Sequence, residues 1–321
     1  MAEMLPVLQL IDPSKKNSEY KLHKISPRQQ LLFISKQLLD SVPGKYSQYE
    51  MEVKFGTKGI KHLTKMDYDN VVKKLKEMNF KPRAANGSYS LKIQPEFLDS
   101  KTGEFRTAGD FNRFRVEIDD LTVIQEYCRT NNLEHLVDTK YNNVSIMKKM
   151  DAKVGDEVVQ SADFDDFNFR VTYKVEETIS KNGKIGQELI QNWNKSRKLF
   201  RYIKRVSFSN DDYPFRVDLS IVRTSSKDER GRLIKTYNVQ DSNVFQNPET
   251  YEIEIEVINS EAKIKYNNAD LLTKGVEHLS KIVLSGLQCT NFPISYIEQK
   301  KVLSSYMKLI HEPEYKKKNM E

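Results

Sequence analysis

Residues 251–257 read Tyr251-Glu252-Ile253-Glu254-Ile255-Glu256-Val257, and residues 49–56 read Tyr49-Glu50-Met51-Glu52-Val53-Lys54-Phe55-Gly56. Side chains alternate across a strand, so residues of equal parity share a face. The later stretch therefore sets three glutamates against Tyr251, Ile253, Ile255 and Val257. The earlier one sets Glu50, Glu52 and Lys54 against Met51, Val53 and Phe55. The same division runs through the chain between them. Arg113, Arg115, Glu117 and Asp119 oppose Phe114, Val116 and Ile118. Arg170, Thr172, Lys174 and Glu176 oppose Phe169, Val171, Tyr173 and Val175. Arg216, Asp218 and Ser220 oppose Phe215, Val217, Leu219 and Ile221.

An antiparallel sheet with one wet and one dry face also alternates in this way. Two details point further. The polar faces carry full charges rather than the usual mixture of Thr, Ser and Gln. Three carboxylates in line on one strand stand roughly 7 Å apart, and like charges in a row oppose folding unless cations offset them. A closed barrel with an apolar exterior and a charged lumen answers both. It also fits a composition of 30% charged and only 38% hydrophobic residues, with a mean hydropathy of −0.65.

Outward from these stretches, alternation predicts strands at about 48–55, 88–94, 112–119, 143–150, 167–178, 198–209, 214–225 and 250–258. The strand at 88–94 offers little beyond Lys92 on its polar face. In the strand at 198–209, Arg201 and Arg205 share parity with Ile203 while Lys204 takes the other face, so a bulge there would change which of them points inward. Helical spacing appears at 27–40, closed by Pro43-Gly44, and at 64–78, where Thr64 and Asp67 can cap the first turn. Short helices are expected near 121–131 and 185–194. A long amphipathic helix carries Leu271, Leu272, Val276, Leu279, Ile282 and Val283, and another helix follows near 295–310. The organisation expected is an N-terminal arm (1–26), one domain (27–312) and a basic tail (313–321). The fold class is mainly β (α+β): an eight-stranded antiparallel barrel with helices packed outside.

The 321 residues suffice for a sizeable core. Their net charge of +7, from 52 basic and 45 acidic residues, favours an anionic partner such as nucleic acid or polyphosphate. Two cysteines, Cys128 and Cys289, without Cys/His spacing suited to zinc, suggest a reducing, intracellular setting. No apolar run reaches membrane-span length and no secretory signal is visible, so no membrane partner is expected.

A charged lumen of this kind suits phosphoryl chemistry. Mg²⁺ or Mn²⁺ takes oxygen ligands at about 2.0–2.2 Å and keeps several waters, so two or three carboxylates suffice. Glu50 and Glu52, with Glu254 or Glu256, are candidates. Arginines and lysines on the other staves can grip phosphate oxygens, and a spare carboxylate can orient a water. The five histidines show no partner pattern that would make one a nucleophile or base.

The Glu-x-Glu-x-Lys pattern at 50–54, paired with Glu-x-Glu-x-Glu at 252–256, resembles the opening and closing strands of triphosphate tunnel metalloenzymes. Phe55-Gly56, and Arg216-Val217-Asp218-Leu219-Ser220, resemble the branch of RNA 5′-triphosphatases that begin mRNA capping in fungi and large DNA viruses. The likeness spans about 48–258 and implies an eight-stranded tunnel that removes the γ-phosphate of 5′-triphosphate RNA, with nucleoside triphosphates as side substrates. Residue by residue it implies Glu50, Glu52 and Glu256 as ligands of a divalent cation, with Glu252 and Glu254 supporting them or ordering water. Arg113 or Arg115, Arg201, Arg205 and Arg216 would contact phosphates, with Lys54, Lys149, Arg170 and Lys174 nearby. Asp218 would fix an arginine, and Glu176 would position the water. A guanylyltransferase domain or subunit is the implied partner and, for a viral chain, host cytoplasm or virion the setting. Two alternatives are a hydrolase of small triphosphates (free nucleotide, inorganic triphosphate or thiamine triphosphate) and a non-catalytic module that binds polyphosphate or RNA ends.

Overall fold

The computed structural model describes residues 25–42, 47–98, 102–106, 113–138 and 143–311. Of the expected N-terminal arm only its last two residues fall within these, and the expected basic tail lies outside them. Eight long strands form the frame: β1 (Ser47–Phe55), β2 (Ser88–Pro95), β3 (Phe114–Asp119), β4 (Val144–Asp151), β5 (Phe169–Ile179), β6 (Lys198–Asn210), β7 (Tyr213–Thr224) and β8 (Thr250–Val257). Their hydrogen-bonded order is β1-β8-β7-β6-β2-β3-β4-β5, and β5 pairs again with β1, so the antiparallel sheet closes on itself. Two short strands, Lys81–Pro82 and Ala162–Phe164, extend β6 and β5. The ends of all eight fall within two residues of those read from alternation.

The apolar parity of every stave faces outward, and helices clad it in two patches. On one side α1 (Pro27–Asp40), α2 (Lys65–Glu77) and, following α6 (Asn259–Lys265), α7 (Ala269–Gln288) cover the outer faces of β1, β5, β7 and β8. Leu31, Val71, Val276 and Leu279 meet Met51, Val53, Leu219 and Ile255 there. On the other side α3 (Leu121–Thr130), α4 (Leu133–Asp138) and α5 (Lys184–Gln191) cover β2, β3 and β4. The indole of Trp193 and the residues Val239 and Val244 complete that patch. The helix starts follow from their caps: Ser26 with Gln29 and Thr64 with Asp67 each satisfy both exposed amides of a capping box. The six-residue α4 and seven-residue α6 were not foreseen, because so few residues carry no helical period. A last helix, α8 (Tyr296–His311), buries none of its residues.

Helices α2 and α7 approach closely because Gly286 has no side chain. A Cβ built there would stand 2.9 Å from the Val71 Cα and 3.0 Å from its Cγ2. Gly286→Val should therefore force the helices apart and cost about 1–3 kcal/mol in a denaturant melt.

Lys198 is a charged residue on the dry side. It is 1% exposed, its ammonium lies 4.9 Å from the centre of the Trp193 ring, and it donates to the carbonyls of Ser196 and Tyr237 at 2.7 and 2.9 Å. Burial pushes its pKa down to about 8, against the pull of Glu96. Between that value and the ordinary lysine range the unfolded chain binds the extra proton, so stability rises with pH across this window. Lys198→Met should flatten the dependence, measured as unfolding free energies at pH 7.5 and 9.5.

Candidate active site

Register decides which charges meet inside. Across β1 and β8, Glu52 faces Glu256 and Lys54 faces Glu254. Across β8 and β7, Glu256 faces Arg216 and Glu254 faces Asp218. Across β1 and β5, Glu50 faces Lys174, and across β5 and β4, Glu176 faces Lys149. The β6 register runs unshifted through Arg201 and Arg205 and slips only at Ser209/Asn210. No bulge intervenes at the arginines, so both take the lumen face with Ile203.

A chain of ion pairs links the lumen faces of all eight staves. Lys92 on β2 reaches Glu117 on β3 at 3.2 Å, and Arg115 holds both Glu117 and, at 2.7 Å, Glu176 on β5. Lys149 on β4 reaches Glu176 at 3.4 Å, Glu52 at 3.3 Å, and Glu50. Lys54 then joins Glu52 at 2.9 Å to Glu254 on β8 at 3.0 Å. Arg205 on β6 lies 3.6 Å from Glu254 and 3.0 Å from Asp218 on β7. Arg216 ends the chain, bonding Asp218 at 3.0 Å and Glu256. Six cations and seven carboxylates take part.

The other expected residues bond to different carboxylates. Arg113 and Lys174 share Asp151, and Arg201 holds Glu252. Arg170 binds Asp163, its Nη2 at 2.9 Å from Oδ2, and Lys58 reaches the same carboxylate at 2.8 Å. Several partners lay beyond the expected set. Lys92 and Glu117 show by parity, and Lys92 opens the ion-pair chain, which corrects the small part expected of its strand. Asp151 shares the parity of Lys149 and needed only one more residue of strand. Asp163 sits in a three-residue strand, too short for alternation to reveal.

The carboxylates at the β1–β8 seam are strongly perturbed. Burial, with the hydrogen bond and negative charge of Glu52, pushes Glu50 up to about 9. Burial alone would also raise Glu52, but the hydrogen bond with Glu50 and the charges of Lys54 and Lys149 outweigh it and hold Glu52 well below the usual carboxylate range. Burial raises Glu256, with Arg216 opposing. A carboxyl that keeps its proton beside one that has lost it marks crowded negative charge, which a hard cation relieves. Among the described residues no three acidic, His or Cys side chains gather in ligand geometry; Lys149, Lys54 and Arg216 occupy the oxygens instead. The donor set still fits Mg²⁺ or Mn²⁺ in kind: all oxygen, from adjacent staves, with Glu52 directly opposite Glu256.

No protein-family model and no curated protein matches this chain. Among solved structures it is similar to the triphosphatase of the Mimivirus capping enzyme, at 15% identity and a TM-score of 0.47 over 79% of this chain and 95% of that one. It is also similar to the S. pombe Pct1 RNA triphosphatase, at 11% identity and a TM-score of 0.38 over 93% and 98% of the two chains. The latter has a second structure in complex with the Spt5 CTD, which matches at 10% identity and a TM-score of 0.35, over 91% of this chain and 99% of that one. Likeness this distant leaves the chemistry to be read from the lumen.

Asp218 orients two guanidiniums while only 2% exposed. Removing one partner of a buried pair strands the other charge. Asp218→Ala should cost about 3–5 kcal/mol of stability in urea unfolding, whereas a solvent-exposed carboxylate such as Asp69, changed likewise, should alter it by less than about 1 kcal/mol.

Proposed function

We propose that this chain is a metal-dependent RNA 5′-triphosphatase, releasing the γ-phosphate of triphosphate-ended RNA and leaving a 5′-diphosphate. One observation carries this reading: a closed lumen in which the paired glutamates of β1 and β8 face a ring of arginines and lysines. Hydrolysis breaks the bond from the γ-phosphorus to its bridging oxygen as water adds, so the reaction needs charge neutralisation and alignment more than a protein nucleophile.

Glu50, Glu52 and Glu256 would hold the cation, which when bound would neutralise phosphate oxygens and polarise the γ-phosphoryl group. In their present pairing Lys149 and Arg216 neutralise these same glutamates. Once the glutamates are neutralised otherwise, both side chains can turn their N–H groups to phosphate. Arg205, held at fixed angle by Asp218 and by the Ser220 hydroxyl at 3.1 Å, is pre-set to grip a phosphate edge. Lys54, Arg115 and Arg201 line further positions for a linear polyanion, with Arg113, Arg170 and Lys174 nearer the strand ends. Glu176, pinned between Arg115 and Lys149, is placed to hold a water by one oxygen, and Glu252 and Glu254 are the alternatives. The net charge of +7 suits a polyanion, whether an RNA end or a small triphosphate, and the comparison of the two substrates below separates them. An intracellular setting and a guanylyltransferase domain or subunit, which consumes a 5′-diphosphate end, belong to the same proposal.

The test is release of labelled terminal phosphate from triphosphate-ended RNA. EDTA should abolish it and Mg²⁺ or Mn²⁺ restore it, and Glu50→Gln or Glu256→Gln should lower kcat by about 10²-fold or more. Activity that survives both glutamate changes defeats the reading. Equal kcat/KM for RNA and free nucleotide assigns the lumen to small triphosphates, and tight, salt-sensitive binding without turnover makes it a binding module.

A further inference from the structure

The lumen differs at its two ends. Toward the mouth where β1 ends and β5 begins, acid gives way to base along three staves. β1 passes from Glu50 and Glu52 to Lys54, β3 from Glu117 through Arg115 to Arg113, and β5 from Glu176 through Lys174 to Arg170. β6 adds Arg201 at the same end. β4 runs the other way, but its Asp151 is held between Arg113 and Lys174. The side chains of Arg113, Arg170 and Arg201 are 39, 42 and 39% exposed, against 23, 24 and 28% for Arg115, Arg205 and Arg216. Arg170 and Arg201 are each held by a carboxylate, which engages only part of a guanidinium's fork of N–H groups.

The opposite mouth is unlike it. The described lumen-facing residues at its strand ends include Gln48, Ser88, Asp119, Ser145, Thr178 and Ser207, a set without a positive charge. Arg216 stands in register with Ser209 beside them, but it is held by Asp218 and Glu256. A polyanion is therefore drawn in at the arginine mouth.

The chain just outside that mouth fits a nucleic-acid strand. Arg201 stands in register with Thr224, the last residue of β7. The segment that follows turns back through a bridge between Lys227 and Leu233, then returns beside the start of β6 through a bridge between Thr236 and Lys198. It presents Lys227 and Arg230 to solvent. On the same segment Tyr237 is 57% exposed. An exposed ring near cations is what single-stranded nucleic acid uses, because every base has a face to stack. Inorganic triphosphate has no base to place there.

We propose that triphosphate-ended RNA enters by the arginine mouth, phosphates first, and that its leading nucleotides pass Arg201 to lie on Tyr237 and Arg230. The terminal phosphate then reaches Glu50, Glu52 and Glu256, which lie deeper from this mouth than Lys54 and Arg201. The inference rests on the triphosphatase reading and adds to it the direction of the substrate and a grip on the RNA body.

Arg230→Ala with Tyr237→Ala is the test. The main-chain carbonyl of residue 237 that accepts from Lys198 remains, so the melting temperature should hold. KM for triphosphate-ended RNA should rise about tenfold, with kcat unchanged and KM for inorganic triphosphate unchanged. Arg230→Ala with Tyr237→Phe, which keeps the stacking face, should recover part of the loss. RNA with a β,γ-imido triphosphate end and 4-thiouridine among its leading nucleotides, photo-crosslinked to the native chain, should attach to residues 226–237. Crosslinks at Gln48, Ser88 or Ser207, or an RNA KM that the double change leaves alone, overturn the inference while hydrolysis by the native chain upholds the triphosphatase reading. Crosslinking at 226–237 without any turnover does the reverse. A native chain that neither binds nor hydrolyses the RNA defeats both.

Discussion

The ion pairs that join the lumen faces of all eight staves are the constraint on which the fold depends. Buried charge is costly unless paired, and breaking one partner of a buried pair leaves the other stranded. Here each cation bridges at least two strands or fixes one carboxylate against another, so the barrel cannot change register without stranding charge. A slip of one residue in β8 would turn Glu254 and Glu256 out against α2 and α7 and bring Ile253 and Ile255 among arginines. The helices owe their positions to the same division. Because the staves keep charge inward, their apolar faces must find cover outside, and two clusters of helices supply it.

Such a lumen is nearly neutral in itself, and that shapes what it can do. The arginines and lysines that would grip phosphate are already held by carboxylates, so an incoming polyanion has to compete for them. The pairing keeps these side chains aligned without substrate, which reduces the ordering cost at binding. It also sets a condition. On the proposed reading, groups at the β1–β8 seam would turn to phosphate only if something else balanced Glu50, Glu52 and Glu256, so cation binding and substrate binding would favour one another.

Much of this arrangement was readable from residue identity, because a strand's period of two leaves little freedom once both faces are strongly marked. Glu52, Lys54, Glu254 and Glu256 could be assigned to one face, and pairing the first and last strands brought those faces together. What parity cannot carry is the partner of each charge. That Arg205 and Arg216 share Asp218, or that Lys54 stands between Glu52 and Glu254, depends on stagger between strands far apart in sequence. Arg170 shows the limit: its parity placed it in the lumen, while its partner Asp163 came from a segment without alternation. The unexpected α4 and α6 are too short for a helical period and exist because the loops that hold them cover apolar surface at Leu133, Leu136 and Ala262.

The seam between β1 and β8 is short. β1 shares nine register pairs with β5 but three with β8, and about 200 residues of chain separate these two staves. Pairings of such long sequence separation are slow to form, because loop closure precedes any gain from contact. A chain emerging from the ribosome would have its first seven staves available before the last exists, with Glu52 and Lys54 along an open edge facing water. Charge on that edge opposes pairing with the edge of another molecule, a use that natural sheets make of lysine and glutamate. The side chains proposed for catalysis would thus also guard the unfinished barrel against aggregation until its closing stave arrives.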